Sequence, residues 1–141
     1  MRLFSQDTKA RALGRLPLFG GLTKKELTAL ARMTEDIELA AGTTLCKQGE
    51  VGHEFFVLVE GEVEVVRGGK RIATLGAGEM LGEIALVEHT RRTATVTAKT
   101  PLRCFVMTSQ NFWGLLDRHP EVERKVLRTL AKRVFADTSH A

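Results

Sequence analysis

The feature that most constrains this chain is its centre. From about residue 36 to 108, short apolar–polar alternations are cut at nearly every joint by glycine. In Glu62-Val63-Glu64-Val65, residues two apart share a face, the mark of a strand with one side buried and one wet. Candidate strands are Ile37–Leu39, Thr44–Cys46, Phe55–Glu60, Glu62–Arg67, Lys70–Leu75, Thr93–Ala98 and Leu102–Met107. Gly42, Gly49, Gly52, Gly61, Gly68-Gly69, Gly76, Gly78 and Gly82 stand between them, where tight turns with positive φ would account for most. Many short strands at this spacing predict a mainly β jelly roll or barrel, which limits exposed sheet edges.

Both ends change to a helical period. In residues 1–35, Leu13 and Leu16 precede Pro17 and Gly20-Gly21, and a second helical stretch carries Leu27, Leu30 and Ala31. Thr23 and Glu26 form the S/T-x-x-E capping box ahead of that stretch. After Thr108, Ser109 is expected to cap a helix that places Phe112, Trp113, Leu115 and Leu116 in a core. Pro120 suits a first helical position. It opens a helix in which Val122, Val126, Leu130 and Val134 recur every four residues, with charges on the other faces. The 141 residues thus read as one domain in three zones: N-terminal helical segment 1–35, β-roll 36–108 and C-terminal helices 109–141.

Composition removes several function classes. The apolar run Phe55–Val59 falls far short of the roughly 20 residues a membrane-spanning helix needs, and the N-terminus turns polar at once. A cytoplasmic protein with no membrane segment is expected. Cys46 and Cys104 lie in strand-like sequence without CxxC spacing and read as buried free thiols. His53, His89, His119 and His140 show no ligand spacing, so no metal and no cofactor are expected. The formal charge of +4 suits an anionic ligand and nucleic acid alike.

The most informative stretch is Leu81-Gly82-Glu83-Ile84-Ala85-Leu86, followed by Val87-Glu88-His89-Thr90-Arg91-Arg92-Thr93-Ala94-Thr95-Val96. Gly82 and Ala85 keep bulk away from a short helical turn beginning near Glu83. The free N–H groups of such a turn carry partial positive charge and seat a phosphate. Arg92 can fold back over that seat with a planar fork suited to two phosphate oxygens. Glu83 offers an acceptor for a ribose hydroxyl.

These residues resemble the phosphate-binding cassette of the cyclic-nucleotide-binding family, roughly F-G-E-[LIV]-A-L, a spacer, then [PR]-R-[AST]-A-[TS]-V. Upstream, Ala41-Gly42-Thr43-Thr44-Leu45, Gln48-Gly49-Glu50, Gly52, Phe55-Phe56-Val57-Leu58 and Glu60-Gly61-Glu62-Val63-Glu64-Val65 are similar to the family's first strands and turns. The pattern is closest to the domains of cyclic-nucleotide-regulated channels, cyclic-nucleotide-dependent kinases and catabolite-activator-type regulators, and it covers about residues 18–136. The resemblance implies a ligand site in which Arg92 binds the cyclic phosphate and Glu83 accepts from the ribose 2′-hydroxyl. Gly82, Ile84 and Ala85 offer backbone contacts, Thr93 and Ala94 complete the phosphate and base end, Val65 lines the purine pocket, and Arg133 caps the base. It implies a short helix in cassette 81–96. Leu81 replaces the usual aromatic, and Arg91 stands where many members have proline. The family register selects Arg92 over Arg91 as the inward residue.

The expected function is a non-enzymatic sensor for cAMP, with cGMP as the alternative, that couples binding to closure of the C-terminal helix as a lid. An effector protein or a further effector domain would read it out. A DNA-binding regulator of the catabolite-activator type adds a helix-turn-helix after that helix, and this sequence ends at Ala141. Direct nucleic-acid binding is therefore not expected, and Glu121, Glu123 and Asp137 break up the basic last helix. A cupin-type metal enzyme shares the roll but needs converging histidines, and no HxH pair exists here. A ligand-free interaction module of the same fold remains the third alternative.

Overall fold

The computed structural model describes residues 3–82 and 90–138, with backbone alone beyond residue 132. Eight strands are described: β1 (Glu35–Leu39), β2 (Thr44–Cys46), β3 (Glu54–Glu60), β4 (Val63–Arg67), β5 (Lys70–Leu75), β6 (Met80–Leu81), β7 (Thr95–Ala98) and β8 (Leu102–Thr108). They form two antiparallel four-stranded sheets, ordered β1-β8-β3-β6 and β2-β7-β4-β5. This is the jelly roll that the glycine-cut alternation predicts. Strand β6 escaped the sequence reading because two residues, paired with Phe56 and Val57, are too short to show a period. Strand β7 starts at Thr95 rather than Thr93.

Alternation explains the core. Phe56 and Leu58 of β3, Val63 and Val65 of β4, Val96 and Ala98 of β7, and Leu102, Cys104 and Val106 of β8 share one apolar cluster. Full burial of each such large aliphatic or aromatic side chain favours folding by about 1.5–3 kcal/mol. Cys46 and Cys104 belong to the same cluster as free, buried thiols.

Helices α1 (Gln6–Gly14), α2 (Lys24–Ala31), α3 (Ser109–Arg118) and α4 (Pro120–Thr138) flank the roll in sequence, with a 3-10 turn at Pro17–Phe19. The Ser5 hydroxyl caps α1 by accepting from the Thr8 N–H, 3.0 Å. Thr23 and Glu26 cap α2 reciprocally, at 3.2 and 2.8 Å. At α3 the expected cap shifts by one residue: the Thr108 hydroxyl accepts from the Asn111 N–H, while Ser109 lies inside the helix and donates its N–H to His53 O. Trp113 is also corrected. Phe112, Leu115 and Leu116 are buried, but Trp113 is 40% exposed, because one step along a helix turns a side chain about 100° away from its neighbour.

The chain resolves into two units, one built on Thr34–Asn111 and the other on Phe4–Met33 with the chain from Phe112 onward. In the second, Phe19 and Phe112 rings lie 6.1 Å apart, and Lys125 of α4 donates to Glu26 of α2 at 2.7 Å.

Candidate ligand site

The site grows from a backbone stitch in the roll. The Gly52 N–H donates to Thr90 O (3.1 Å), the Arg92 N–H to Glu50 O (2.7 Å) and the Gly49 N–H to Arg92 O (2.9 Å). Val51 and Arg91 form an antiparallel bridge between them. In extended backbone successive side chains take opposite faces, so the two arginines must part. Arg91 is exposed and its Nη1 donates to Gly49 O at 2.7 Å. Arg92 is half-buried and its Nη2 donates to Glu54 O at 2.7 Å, at the start of β3.

Two glycines make room for the inward guanidinium. A Cβ at Gly52 would land on the Arg92 Nε and Cζ, and one at Gly82 would land on its Nη1. Gly82 also has φ +81°, a left-handed value natural to glycine. Gly52 owes its identity to close approach alone, since its φ is ordinary. Among the described residues the other N–H groups of this guanidinium, which carries five in all, meet no acceptor. The guanidinium thus lies against the backbone of Gly52 and Gly82.

Of the residues expected at the site, the structure brings Gly82 and Arg92 together. Val65 and Ala94 are buried in the shared apolar cluster. Thr93 is exposed, and its carbonyl accepts from Arg67 Nε at 3.1 Å. Glu83, Ile84 and Ala85, with the expected short helix, lie outside the described residues. Arg133 falls on α4 where the backbone alone is described. The sequence reading missed Arg67 and the side-chain role of Gln48, whose Oε1 accepts from the Gly68 N–H at 3.0 Å. No local signal marks either, because their partners lie 26 and 20 residues away.

Burial raises the Cys46 thiol above its usual range; the positive charge of Arg92 pulls it back and Glu54 adds to the rise. A protonated, covered thiol makes a poor nucleophile. Among the described residues no group of three His, Cys, Asp or Glu side chains can hold a metal ion, and no helix is long and apolar enough to cross a membrane. Two hollows, of about 520 and 680 Å³, lie elsewhere; Arg92 lines neither.

Two antiparallel four-stranded sheets make this a jelly-roll protein, with the Arg92 guanidinium held against Gly52 and Gly82. The particular family follows from comparison. Residues 36–119 match the family model described as the cyclic nucleotide-binding domain, and the chain belongs to that family, a regulatory ligand-binding module and not a catalytic one. A cAMP-dependent protein kinase regulatory subunit of Schizosaccharomyces pombe is 35% identical over 74% of this chain and 26% of its own length. A cGMP-dependent protein kinase of Eimeria tenella is 33% identical over 67% of this chain and 10% of its own. The chain thus spans about a quarter of the first of these curated relatives and a tenth of the second. The N-terminal domain of a transcriptional regulator from Streptomyces coelicolor A3(2) superposes with a TM-score of 0.84 at 29% identity, covering 92% of this chain and 94% of that one.

Proposed function

We propose that this chain is a cAMP sensor that holds the cyclic phosphate against Arg92 and passes the binding event to its C-terminal helix. The observation that carries the reading is the parting of the adjacent arginines. Arg92 turns to Glu54 O over Gly52 and Gly82, and Arg91 turns away to Gly49 O. A guanidinium so aimed presents a planar fork to two phosphate oxygens. In this reading Gly82, Ile84 and Ala85 offer backbone N–H groups and Glu83 accepts from the ribose. Thr93, Ala94 and Val65 border the base, and Arg133 caps it. The fission-yeast relative's cAMP dependence supports cAMP; the Eimeria relative keeps cGMP as the competitor. Nucleotide can move the C-terminal helix only by preferring one of its positions.

Isothermal titration with cAMP and cGMP tests the proposal on wild type and Arg92→Ala. A charge-assisted hydrogen bond contributes about 1.5–3 kcal/mol, so Arg92→Ala is expected to weaken cAMP at least about tenfold. A variant that binds like wild type overturns the assignment.

A second reading of the output, the sensor half of a transcription regulator, draws support from the Streptomyces likeness. A salt-dependent, cAMP-dependent DNA mobility shift tests it.

A further inference from the structure

Three segments of the roll meet around the backbone that carries Arg92: the loop through Gln48 and Gly49, the β4–β5 turn at Arg67 and Gly68, and the entry to β7. Four hydrogen bonds tie them. Gly68 N–H donates to Gln48 Oε1 at 3.0 Å, Gln48 N–H to Thr95 Oγ1 at 3.0 Å, Arg67 Nε to Thr93 O at 3.1 Å and Arg91 Nη1 to Gly49 O at 2.7 Å. Each joins residues at least 20 apart in sequence, so none is incidental to a local turn.

Two of these bonds grip the residues next to the inward guanidinium. Thr93 follows Arg92 directly, and Arg67 holds its carbonyl. Gly49 donates its N–H to Arg92 O, and Arg91 holds the carbonyl of that same Gly49. Arg91, Gly49 and Arg92 therefore form a closed circuit of one side-chain and one backbone bond. Neither Arg67 nor Arg91 is buried, yet both direct donors at backbone oxygens. From this placement the geometry points to Arg67 and Arg91 as positioning residues. They tie the Thr90–Thr95 backbone to the end of β4 through Arg67 and to Gly49 through Arg91, and so set where Arg92 offers its guanidinium. The inference rests on the cyclic-nucleotide reading above.

A competing explanation needs only their charge: exposed cations beside an anion site speed its arrival by long-range attraction, which salt screens. Lysine keeps the charge but lacks the planar, fixed donors of arginine, and glutamine removes the charge. Stopped-flow binding of a fluorescent cAMP analogue to Arg67→Gln, Arg67→Lys, Arg91→Gln and Arg91→Lys separates the two. Positioning predicts that every variant raises koff about two- to tenfold, the range for losing one hydrogen bond, with kon within about twofold and no rescue by lysine.

Amide exchange of the ligand-free protein supplies a second readout. In Arg91→Gln the Gly49 and Arg92 amides are expected to exchange faster than in wild type. Lysine variants that match wild type, while glutamine variants lose only salt-dependent kon, overturn the inference in favour of steering. Variants matching wild type in both koff and amide exchange overturn it too. Wild type that binds neither nucleotide overturns the underlying reading instead, and the exchange measurement still decides whether the grip exists.

Discussion

Three glycine-to-alanine substitutions separate the two reasons glycine is used in this roll. Gly78 has φ +89° with nothing within 4 Å of an added Cβ, so alanine there meets conformational strain alone. Left-handed alanine is disfavoured by about 1–2 kcal/mol, partly offset by a less flexible unfolded chain. A melting temperature about 3–5 °C lower is expected, with cAMP affinity unchanged. Gly52 is the converse case. Its φ is ordinary, but its Cβ would coincide with the Arg92 guanidinium, the movable end of a long side chain. The guanidinium would swing away at small expense to the fold, and the phosphate contact proposed for it, about 1.5–3 kcal/mol, would be lost. Affinity should fall at least about tenfold with little change in melting temperature. Gly82→Ala combines both faults, since φ is +81° and the new Cβ would also sit 2.9 Å from the Glu54 carbonyl. It should lose the most in each assay. Calorimetric melting and isothermal titration on the three variants provide the test. Gly52→Ala binding cAMP as tightly as wild type, or Gly78→Ala losing as much affinity as Gly52→Ala, would refute the idea that these glycines exist to seat Arg92.

Two further expectations concern stability. Burial pushes the Cys104 thiol from 9.0 up to about 11. A raised folded pKa means stabilisation present below about pH 9 and lost as pH climbs through 11, by about 2–3 kcal/mol. Urea unfolding of wild type between pH 8 and 11 should show that loss, and in Cys104→Ala the loss should be smaller, with only the Cys46 thiol left to contribute; equal slopes would contradict it. Burial also pushes the Glu26 carboxyl up, but hydrogen bonds from Lys125 and Thr23 outweigh it and hold the group below 4.5. Its stabilisation is therefore present above pH 4.5 and lost as pH falls through the lowered value. Glu26→Gln should reduce stability at pH 7 by about 1 kcal/mol and flatten the acid side of the profile.

What could be read before folding was whatever repeats locally. The period-two runs located β2 and β5 to the residue, and the Thr23/Glu26 box appears as a reciprocal cap, because alternation and capping are settled within a few positions. Trp113 misled because a helical run of aromatics does not tell which of two neighbours faces inward. Strand β6 was invisible because two residues carry no period. At the site, Gly82 and Arg92 stood out through the pattern of the cassette, and the structure brings them together. Arg67 and Gln48 were unreadable. Their bonds depend on strand pairing that brings residues 20 to 47 positions apart into contact, information held by the whole roll and not by any window of it.

The adjacent arginines show how pairing register allots different work to identical side chains. A shift of one residue would exchange their faces, turning Arg91 toward β3 and Arg92 toward Gly49. Three backbone bonds between 49–52 and 90–92 prevent it, so the loop before β3 selects which arginine lies over Gly52 and Gly82. The same stitch bears on affinity. With Nη2 already on Glu54 O, Arg92 enters the encounter with its rotamers restricted. Ordering a free arginine opposes binding by up to about 2 kcal/mol, and here much of that ordering has occurred during folding. At the proposed site an anion arriving over Gly52 and Gly82 would therefore meet a donor fork that is already held in place, which is why a substitution that merely frees this side chain should weaken binding almost as much as one that removes it.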